Sequence, residues 1–454
     1  MKKRSKIFAL SALGVLSLTS CATSQPNEVK YSQQMVESHG LVDFYCNRKH
    51  QTSLDTAHWD YVSGLVANAV LKTWEAYPDK ETYYQAVKAF ADACTNEDGS
   101  FIQNAKGENA LRPSNIDDLP AGNIFFALYR EETRRGNLKD AERYKAAATM
   151  IRNKLKYDHS RINSSLPGAG GFFHKAVYPN QMWLDGLYMG SPIYAQWQYN
   201  FGGADAEDNL ESWSDIASQF TTIHSFTYNP ELQLNYHAWS ATPTEPDSFW
   251  ANHSEPFKGC SKEFWGRGMG WYIAALVDVL EFMPKDHPDY NAVNGVLQDV
   301  AAGLARWQDP QSGVWFQLLQ YDGSVAADGV GDTIDGKTYN VGTQHNYLEA
   351  SSSCIFTYGL LKGIRLGLLE AQTYSPVAEK AYQGILKTFI RENDQNGIDV
   401  IQTCASAGLG PRKDHSRTGT INYYLSGEDV IIVENEGKAV GTFILASLEY
   451  ELAK

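Results

Sequence analysis

Apolar residues recur every three to four positions in twelve segments of the chain, a spacing typical of amphipathic helices that bury one face. The segments cover residues 32–47, 61–76, 83–94, 119–133, 138–155, 183–197, 205–220, 268–283, 290–307, 348–368, 377–390 and 437–452. Strand-like alternation is scarce and is confined to short pieces such as Val314-Trp315-Phe316-Gln317. The pattern therefore predicts an all-α fold.

Six of these segments begin alike, with a small residue followed by a mostly apolar run. The small residues are Gly64, Gly122, Gly190, Gly270, Ser353 and Gly441. Successive copies lie 58 to 88 residues apart, which is too irregular for a solenoid but suits helical hairpins joined by loops of growing length. We expect six hairpins closed into an (α/α)6 barrel, in which the segment 32–47 pairs with the last inner helix. A twelve-helix bundle without closure is the alternative.

An acidic residue stands four or five positions before the small residue in five of the six copies. These acids are Asp60, Asp117 with Asp118, Asp185, Glu349 and Glu436, and the fourth copy carries Arg267 instead. The acids should gather at the N-terminal ends of the inner helices, where the helix dipole favours negative charge. Each of them has a plainer interpretation as a helix cap, and of Asp117 and Asp118 one is expected to cap while the other faces the barrel mouth.

The N-terminus has the pattern of a lipoprotein signal peptide. Lys2-Lys3-Arg4 precedes an apolar run, which ends in Leu18-Thr19-Ser20-Cys21. We expect residues 1–20 to be removed, Cys21 to be lipidated, residues 21–30 to form a tether and residues 31–454 to form a single catalytic domain. The protein would then sit in the bacterial cell envelope, with membrane contact only through this anchor. A plain signal peptide is the alternative.

Composition narrows the function classes. The net charge is −14 with no basic stretch beyond the leader, which argues against nucleic acid as a partner. The 11 Trp and 26 Tyr suit a cleft that holds sugar faces. The five cysteines after Cys21 have no metal-ligand spacing, and dinucleotide and phosphate-loop fingerprints are missing, so we expect neither metal nor cofactor. The five thiols allow at most two disulfides, and buried free thiols are an equal alternative. The sequence leaves the oligomeric state open.

The most promising segment for chemistry is a glycine-rich stretch, residues 168–171, that leads into His174 and Lys175. A helix carrying Trp183 and Asp185 follows, so a proton donor, a cation and a ring surface come within a short span. If Asp117 approaches Asp185, the two carboxylates cannot easily both ionise. One pKa would then rise and supply a protonated acid near neutral pH.

A second candidate segment surrounds the fourth copy, where Trp265 and Arg267 stand between glycines. The guanidinium of Arg267 suits a substrate carboxylate, with an ion pair to one of the acids as the equal alternative. Trp265 is either a stacking ring or a packing ring. His237 lies in the loop-rich region before this segment, and a single His of that kind is more often structural than catalytic.

At these residues the sequence resembles the unsaturated uronyl hydrolases of glycoside hydrolase family 105, and more distantly those of family 88. The resemblance rests on Trp183-Leu184-Asp185-Gly186-Leu187-Tyr188-Met189-Gly190-Ser191-Pro192, on Trp265-Gly266-Arg267-Gly268-Met269-Gly270-Trp271 with Ala275-Leu276-Val277-Asp278-Val279-Leu280-Glu281, and on Asn115-Ile116-Asp117. It extends from about Trp59 to Leu448. It implies the same (α/α)6 barrel.

The resemblance also implies a reaction and a set of site residues. Such enzymes hydrate the C4=C5 double bond of the 4,5-unsaturated uronic acid at the non-reducing end of lyase-generated oligosaccharides. By this resemblance Asp185 protonates C4 and activates the water, while Asp117 tunes and orients Asp185. The implied substrate-binding residues are His174, Lys175, Trp183, His237, Trp265, Arg267 and Tyr61.

The first expected substrate is unsaturated galacturonate linked to rhamnose, and the second is a product carrying unsaturated glucuronate. Met269 stands where Asn is common in the family, which leaves the leaving sugar open. Two other functions fit the residues. One is an inverting glycosidase acting on intact chains, with carboxylates about 6.5 to 9.5 Å apart. The other is a lipid-anchored glycan-binding protein, which needs no titrating acid.

Overall fold

Helices make up most of the computed structural model, which describes residues 29–41, 59–102, 110–203, 206–411 and 414–454. Within these ranges the α-helices are α1 Tyr31–Met35, α2 Tyr61–Ala76, α3 Glu81–Cys94, α4 Ile124–Arg135, α5 Leu138–Asn153, α6 Leu184–Phe201, α7 Glu207–Thr227, α8 Gly266–Leu280, α9 Tyr290–Trp307, α10 Ala350–Arg365, α11 Ala371–Phe389, α12 Ile421–Ser426 and α13 Gly437–Leu452. A π-turn, Val36–Gly40, continues α1. The predicted signal peptide, Cys21, Cys46 and the end of the predicted first helix lie outside the described residues, so the lipid anchor stays a prediction.

The helix bounds follow the apolar pattern, and α2, α9 and α13 begin and end at the predicted residues. α7 extends to Thr227, seven residues beyond the predicted end. Another departure lies before α4, where the segment predicted as a helix from residue 119 opens with a 3₁₀ turn, Pro120–Asn123, which follows a further 3₁₀ turn, Ile116–Asp118. Pro120 has no backbone N–H and suits the start of a turn. The α-helix therefore begins only at Ile124, and the segment before it is free to bend toward the barrel axis.

Six helices form a closed inner ring, and six form its outer wall. Around the ring α2 packs on the turn before α4, then come α6, α8, α10 and α13, and α13 closes on α2. The outer partners of the inner helices, in the same order, are α3, α5, α7, α9, α11 and α1. The predicted (α/α)6 barrel is confirmed, including the pairing of the first helix with the last inner helix.

The glycines that begin the repeat lie at points of close approach between neighbouring segments of the ring. A Cβ at Gly64 would lie 2.3 Å from Cα of Ala121, and one at Gly270 would lie 2.1 Å from Cγ2 of Ile355. At Gly441 it would lie 2.7 Å from Cγ of Leu65, which joins the last inner helix to the first. The repeat in the sequence is thus the contact that closes the ring.

Substitution of Gly64 by Ala is expected to destabilise the protein by at least about 3 kcal/mol, because the added methyl meets main-chain atoms that cannot move aside. Gly295→Ala is the matched control, since Gly295 lies in the outer helix α9 and a Cβ there meets nothing within 4 Å. That change should stabilise by about 0.5 to 1 kcal/mol. Denaturant unfolding followed by circular dichroism gives both values, and equal stabilities would contradict the close approach at Gly64.

Short antiparallel strand pairs lie in the loops that lead into the inner helices. In the described residues they are β1 Gln181–Trp183 with β4 Ala238–Ser240, β2 Tyr228–Asn229 with β3 Leu234–Asn235, β5 Asp332–Ile334 with β6 Lys337–Tyr339, β7 Ile390–Glu392 with β8 Ile398–Val400, and β9 Thr403–Cys404 with β10 Ile432–Val433. The strand predicted at 314–317 is wrong. Phe316 makes one isolated bridge to Leu348, and Leu318 makes another to Trp265. Because Phe316 and Leu318 pair with different segments, no continuous strand forms here.

The cysteines in the described residues form no disulfide. Cys94, Cys260, Cys354 and Cys404 are buried free thiols, in line with the second of the two readings. No helix in the described part of the chain combines the length and apolar character needed to cross a bilayer.

Candidate active site

A polar cavity of about 190 Å³ opens where the N-terminal ends of the inner helices meet the long loops. Eight of the nine predicted site residues line it, and they are Tyr61, Asp117, His174, Lys175, Trp183, Asp185, Trp265 and Arg267. His237 is the exception. Another hollow, of about 580 Å³, lies along α5 and is lined by none of these residues.

Backbone pairing brings together three segments: the loop before α4, the segment with His174 and Lys175, and β1, which precedes Asp185. Lys175 bridges to Asn115, and the N–H of His174 donates to the carbonyl of Gln181 at 2.9 Å. Trp183 pairs with Ala238 in the β1–β4 ladder, so the residues after β1 stand beside His237. These ladders explain how Asp117, His174 with Lys175, and Asp185 reach one cavity from three parts of the sequence.

Asp185 occupies the first turn of α6, whose N-cap residue is Trp183. Its side chain is 13% exposed, and Oδ2 lies 2.9 Å from Nε2 of His237. Burial raises the pKa of the Asp185 carboxyl, but the charge of His237 and its hydrogen bond outweigh burial and hold that pKa below its ordinary value. The raised pKa expected for one of the two acids is therefore not found at Asp185.

His237 is fully buried behind Asp185 and does not line the cavity. Its Nδ1 lies 2.7 Å from the hydroxyl of Tyr424. The structure thus places His237, predicted as a substrate-binding residue, in contact with the acid.

Asp117 and Asp118 have different surroundings, and Asp117 is the one that faces the cavity. The expectation that the other acid caps a helix is wrong, because no side chain in the described residues caps either 3₁₀ turn or α4. Asp117 lines the cavity, forms an ion pair with Lys175 and has Oδ1 3.5 Å from Nε2 of His174. Asp118 is fully buried and is held by Arg112 and Asn115. Asp117 is therefore the second acid of the site.

Trp183 supplies a ring surface on the cavity wall. His174 stacks on it with ring centroids 4.3 Å apart and an interplanar angle of 8°, and Tyr178 lies parallel at 5.0 Å. Burial lowers the pKa of His174 to about 4, so this ring is neutral near pH 7. His174 offers hydrogen bonds and a flat surface, and it does not add to the positive charge of the site.

Arg267 is held rigidly at the start of α8. One of its nitrogens donates to the Ser351 hydroxyl at 3.1 Å and to the Cys404 carbonyl. The same nitrogen lies 3.9 Å from Oε1 of Glu349, and the guanidinium lies 4.8 Å from the centre of the Trp265 ring. The predicted ion pair with an acid of the repeat is present, and Arg267 also lines the cavity, so its contact with a substrate carboxylate stays a prediction.

Several wall residues escaped the sequence analysis. They are Tyr178, Met189, Trp271, Ser406, Ala407, Gly408 and Arg417. Arg417 matters most, because it adds a cation from a late loop that carries no recognisable motif. Its Nε and one terminal nitrogen donate to Asp429, and its other terminal nitrogen lies against Gly408.

The recurrent acids have two different roles. Asp60, Glu349 and Glu436 are N-cap residues whose carboxylates accept from the first-turn amides of α2, α10 and α13. The helices α6 and α8 have Trp183 and Trp265 at the N-cap and no side-chain cap in the described structure. Three inner helices are thus capped by acids, while the two that bring Asp185 and Arg267 have rings of the cavity wall at their N-caps.

The site and the barrel together define a carbohydrate-active enzyme, and the comparisons with known proteins agree. The model of Glycosyl Hydrolase Family 88 matches residues 37–327 and 338–454. The chain belongs to this family and is a glycosidase.

Known relatives and structures narrow the type. A family 105 glycoside hydrolase from Clostridium acetobutylicum is 34% identical, with a TM-score of 0.74 over 93% of this chain and 100% of that one. An unsaturated rhamnogalacturonyl hydrolase of Bacillus subtilis is 24% identical over 336 residues, 72% of this chain and 86% of that protein. Unsaturated glucuronyl hydrolase from Bacillus sp. GL1 shares the fold, with 13% identity and a TM-score of 0.55 over 93% of this chain and 97% of that one. The resemblance to families 105 and 88 is confirmed.

Proposed function

We propose that this enzyme removes the 4,5-unsaturated uronic acid from the non-reducing end of lyase-generated oligosaccharides by hydrating its C4=C5 double bond. The observation that carries the proposal is a small closed-in cavity that combines a buried acid, Asp185, with the cations Lys175, Arg267 and Arg417. Its 190 Å³ is well below the roughly 300 Å³ at which pockets for drug-sized ligands begin. A space of this size suits one terminal sugar ring and not the middle of a chain.

The charges of the cavity wall suit a uronate. Burial disfavours the charged form of Lys175, but Asp117 outweighs burial and keeps the pKa of Lys175 above its ordinary value. Arg267 and Arg417 remain charged at any relevant pH. In a protein with a net charge of −14, this concentration of cations around one cavity favours an anionic substrate.

The reaction uses one carboxyl group in two roles, first as a proton donor and then as a proton acceptor. The unsaturated ring is an enol ether, so a proton delivered by Asp185 to C4 leaves positive charge shared between C5 and the ring oxygen. Water then adds to C5 and returns a proton to Asp185. The resulting hemiketal opens to a ketone at C5, which places a hydroxyl on C1 beside the leaving sugar. Collapse of this hemiacetal frees the sugar, and the net change is the addition of one water.

Asp117 and the rings position the substrate in this scheme. Asp117 orients the Lys175 ammonium and the neutral His174, both of which offer hydrogen bonds to sugar hydroxyls. Trp183 presents a flat surface already stacked on His174, which suits the apolar face of a sugar ring. The identity of the substrate follows from the resemblance, so unsaturated galacturonyl-rhamnose is proposed first and a product with unsaturated glucuronate second.

We expect the purified protein to abolish the ultraviolet absorbance of lyase-generated oligosaccharides, because hydration destroys the conjugated double bond. Products of rhamnogalacturonan, ulvan and glycosaminoglycan lyases form the test panel, and intact polysaccharides form the control. Unchanged absorbance across the whole panel, or release of sugars from intact chains, would contradict the proposal.

A further inference from the structure

The side chains of Asp185, His237 and Tyr424 form a hydrogen-bonded line that leads from the cavity into the protein interior. Oδ2 of Asp185 lies 2.9 Å from Nε2 of His237, and Nδ1 of His237 lies 2.7 Å from the Tyr424 hydroxyl. His237 and Tyr424 are both fully buried. The mechanism above uses only the first member of this line.

We propose that His237 and Tyr424 form a proton relay behind Asp185, in which the Asp185–His237 pair holds the proton that is delivered to the substrate and Tyr424 fixes which imidazole nitrogen carries a hydrogen. This inference rests on the proposed function. It assigns His237 and Tyr424 as positioning residues, since both act through Asp185 and neither touches the cavity.

The surroundings hold the imidazole in one orientation. Trp265 packs on it with ring centroids 4.6 Å apart, and Trp183 meets it edge to face at 5.6 Å. A Cβ at Gly268 would lie 3.2 Å from Cδ2 of His237, so glycine leaves just enough room for the ring. The carbonyl of His237 also accepts the N–H of Leu184, the residue before Asp185. A ring enclosed by Trp265, Trp183 and Gly268, on an anchored main chain, can serve a single hydrogen-bond geometry.

The proton count explains why both partners are needed. An Asp185 carboxylate beside an imidazolium holds one transferable proton, and the imidazolium has two N–H groups that point at Asp185 and at Tyr424. After the proton passes through Asp185 to C4, the pair is a carboxylate and a neutral imidazole whose remaining hydrogen is donated to Tyr424. Attack by water at C5 then restores the proton to the pair. The relay thereby supplies a proton although the pKa of Asp185 lies below its ordinary value.

Other titratable groups near the relay have to be separated from it. His174 acts on Asp185 from the cavity side, and Asp117 and Lys175 in turn act on His174. Glu263 and Cys404 act on Tyr424. Burial raises the pKa of Glu263 to about 7, so its titration overlaps the useful pH range. Glu263→Gln therefore accompanies the test.

Tyr424→Phe is expected to move the alkaline limb of the kcat–pH profile to lower pH by about one unit, because it removes the partner of a charge-assisted hydrogen bond. The sign follows from the imidazolium, which loses its Nδ1–H acceptor and gives up its proton more readily. Tyr272→Phe is the matched control, since this buried hydroxyl donates to the Phe220 carbonyl instead. Its profile should overlay the wild type. A Tyr424→Phe profile that also overlays the wild type would overturn the relay.

A second measurement works on the wild-type protein and needs no turnover. In protein labelled with ¹⁵N-histidine, the signals absent from His237→Gln identify His237, and their shifts report which nitrogens carry hydrogen. We expect imidazolium signals below the alkaline limb and the Nδ1–H tautomer above it. The Nε2–H tautomer above the limb would overturn the relay even if the enzyme is active. Imidazolium signals in a protein inactive on every lyase product would instead contradict the proposed function alone.

Discussion

Asp185→Asn is expected to lower kcat on the unsaturated oligosaccharide by about a thousandfold or more, because an amide can neither protonate C4 nor accept a proton from water. Asn fills the same volume, and the other cavity contacts stay, so KM should change little. Initial rates from the loss of ultraviolet absorbance give both constants. A variant that retains more than about a tenth of kcat would exclude Asp185 as the proton donor.

Glu436→Gln is the matched control for this variant, because Glu436 belongs to the same recurrent set of acids. It caps α13, accepts the N–H of Lys438 at 2.7 Å and does not line the cavity. Loss of the charged cap should lower stability by about 1 kcal/mol. We expect kcat to stay at the wild-type value, so the pair of variants separates the catalytic acid from a capping acid.

This contrast also shows what the sequence can and cannot predict. The spacing of small residues predicted the barrel, because glycines of the repeat mark close contacts between neighbouring segments, as Gly270 does with Ile355. The recurrent acids were expected near helix N-termini, and they lie there. Their roles differ by an offset of two residues, since Glu349 is an N-cap while Asp185 lies two residues beyond the N-cap Trp183. Helix boundaries inferred from a hydrophobic pattern have an error of about one or two residues, which is as large as this offset. The pattern alone therefore does not distinguish an N-cap acid from an acid in the first turn.

The electrostatics of the site depend on partners distant in sequence. His237 stands 52 positions after Asp185, and its charge reverses the pKa shift that burial alone would cause. Nothing local predicts that contact, which arises because β1 and β4 pair and set the two segments side by side. The same applies to His174, whose low pKa comes from complete burial in the assembled wall.

Arg417 was missed for a related reason. It lies in a late loop between β9 and α12, with no motif around it, and it reaches the cavity only because the loop folds back over Trp183 at Gly408. The resemblance to known families identified residues on the first half of the ring, where motifs are contiguous. A residue in a long loop without a motif can be assigned to the site only from the three-dimensional structure.

Arg417→Gln is expected to lower kcat/KM by about 30- to 150-fold, which corresponds to about 2 to 3 kcal/mol for a charge-assisted hydrogen bond to the substrate carboxylate. Asp429 holds Nε and one terminal nitrogen of Arg417, which leaves the other terminal nitrogen to face the ligand. Arg417→Lys should recover little of the loss, because one ammonium cannot hold Asp429 and a carboxylate in this fork geometry. Steady-state rates on the preferred lyase product provide the measurement.

Two controls decide whether the loss comes from the substrate carboxylate. Arg365→Gln removes an arginine that makes a comparable two-point contact with Glu449, at the C-terminal end of α10 and away from the cavity, so stability should fall while kcat/KM stays constant. A methyl ester of the unsaturated uronate has no negative charge, and wild type and Arg417→Gln should process it at similar rates. If the variant is as impaired on the ester as on the acid, Arg417 shapes the cavity wall and does not bind the carboxylate.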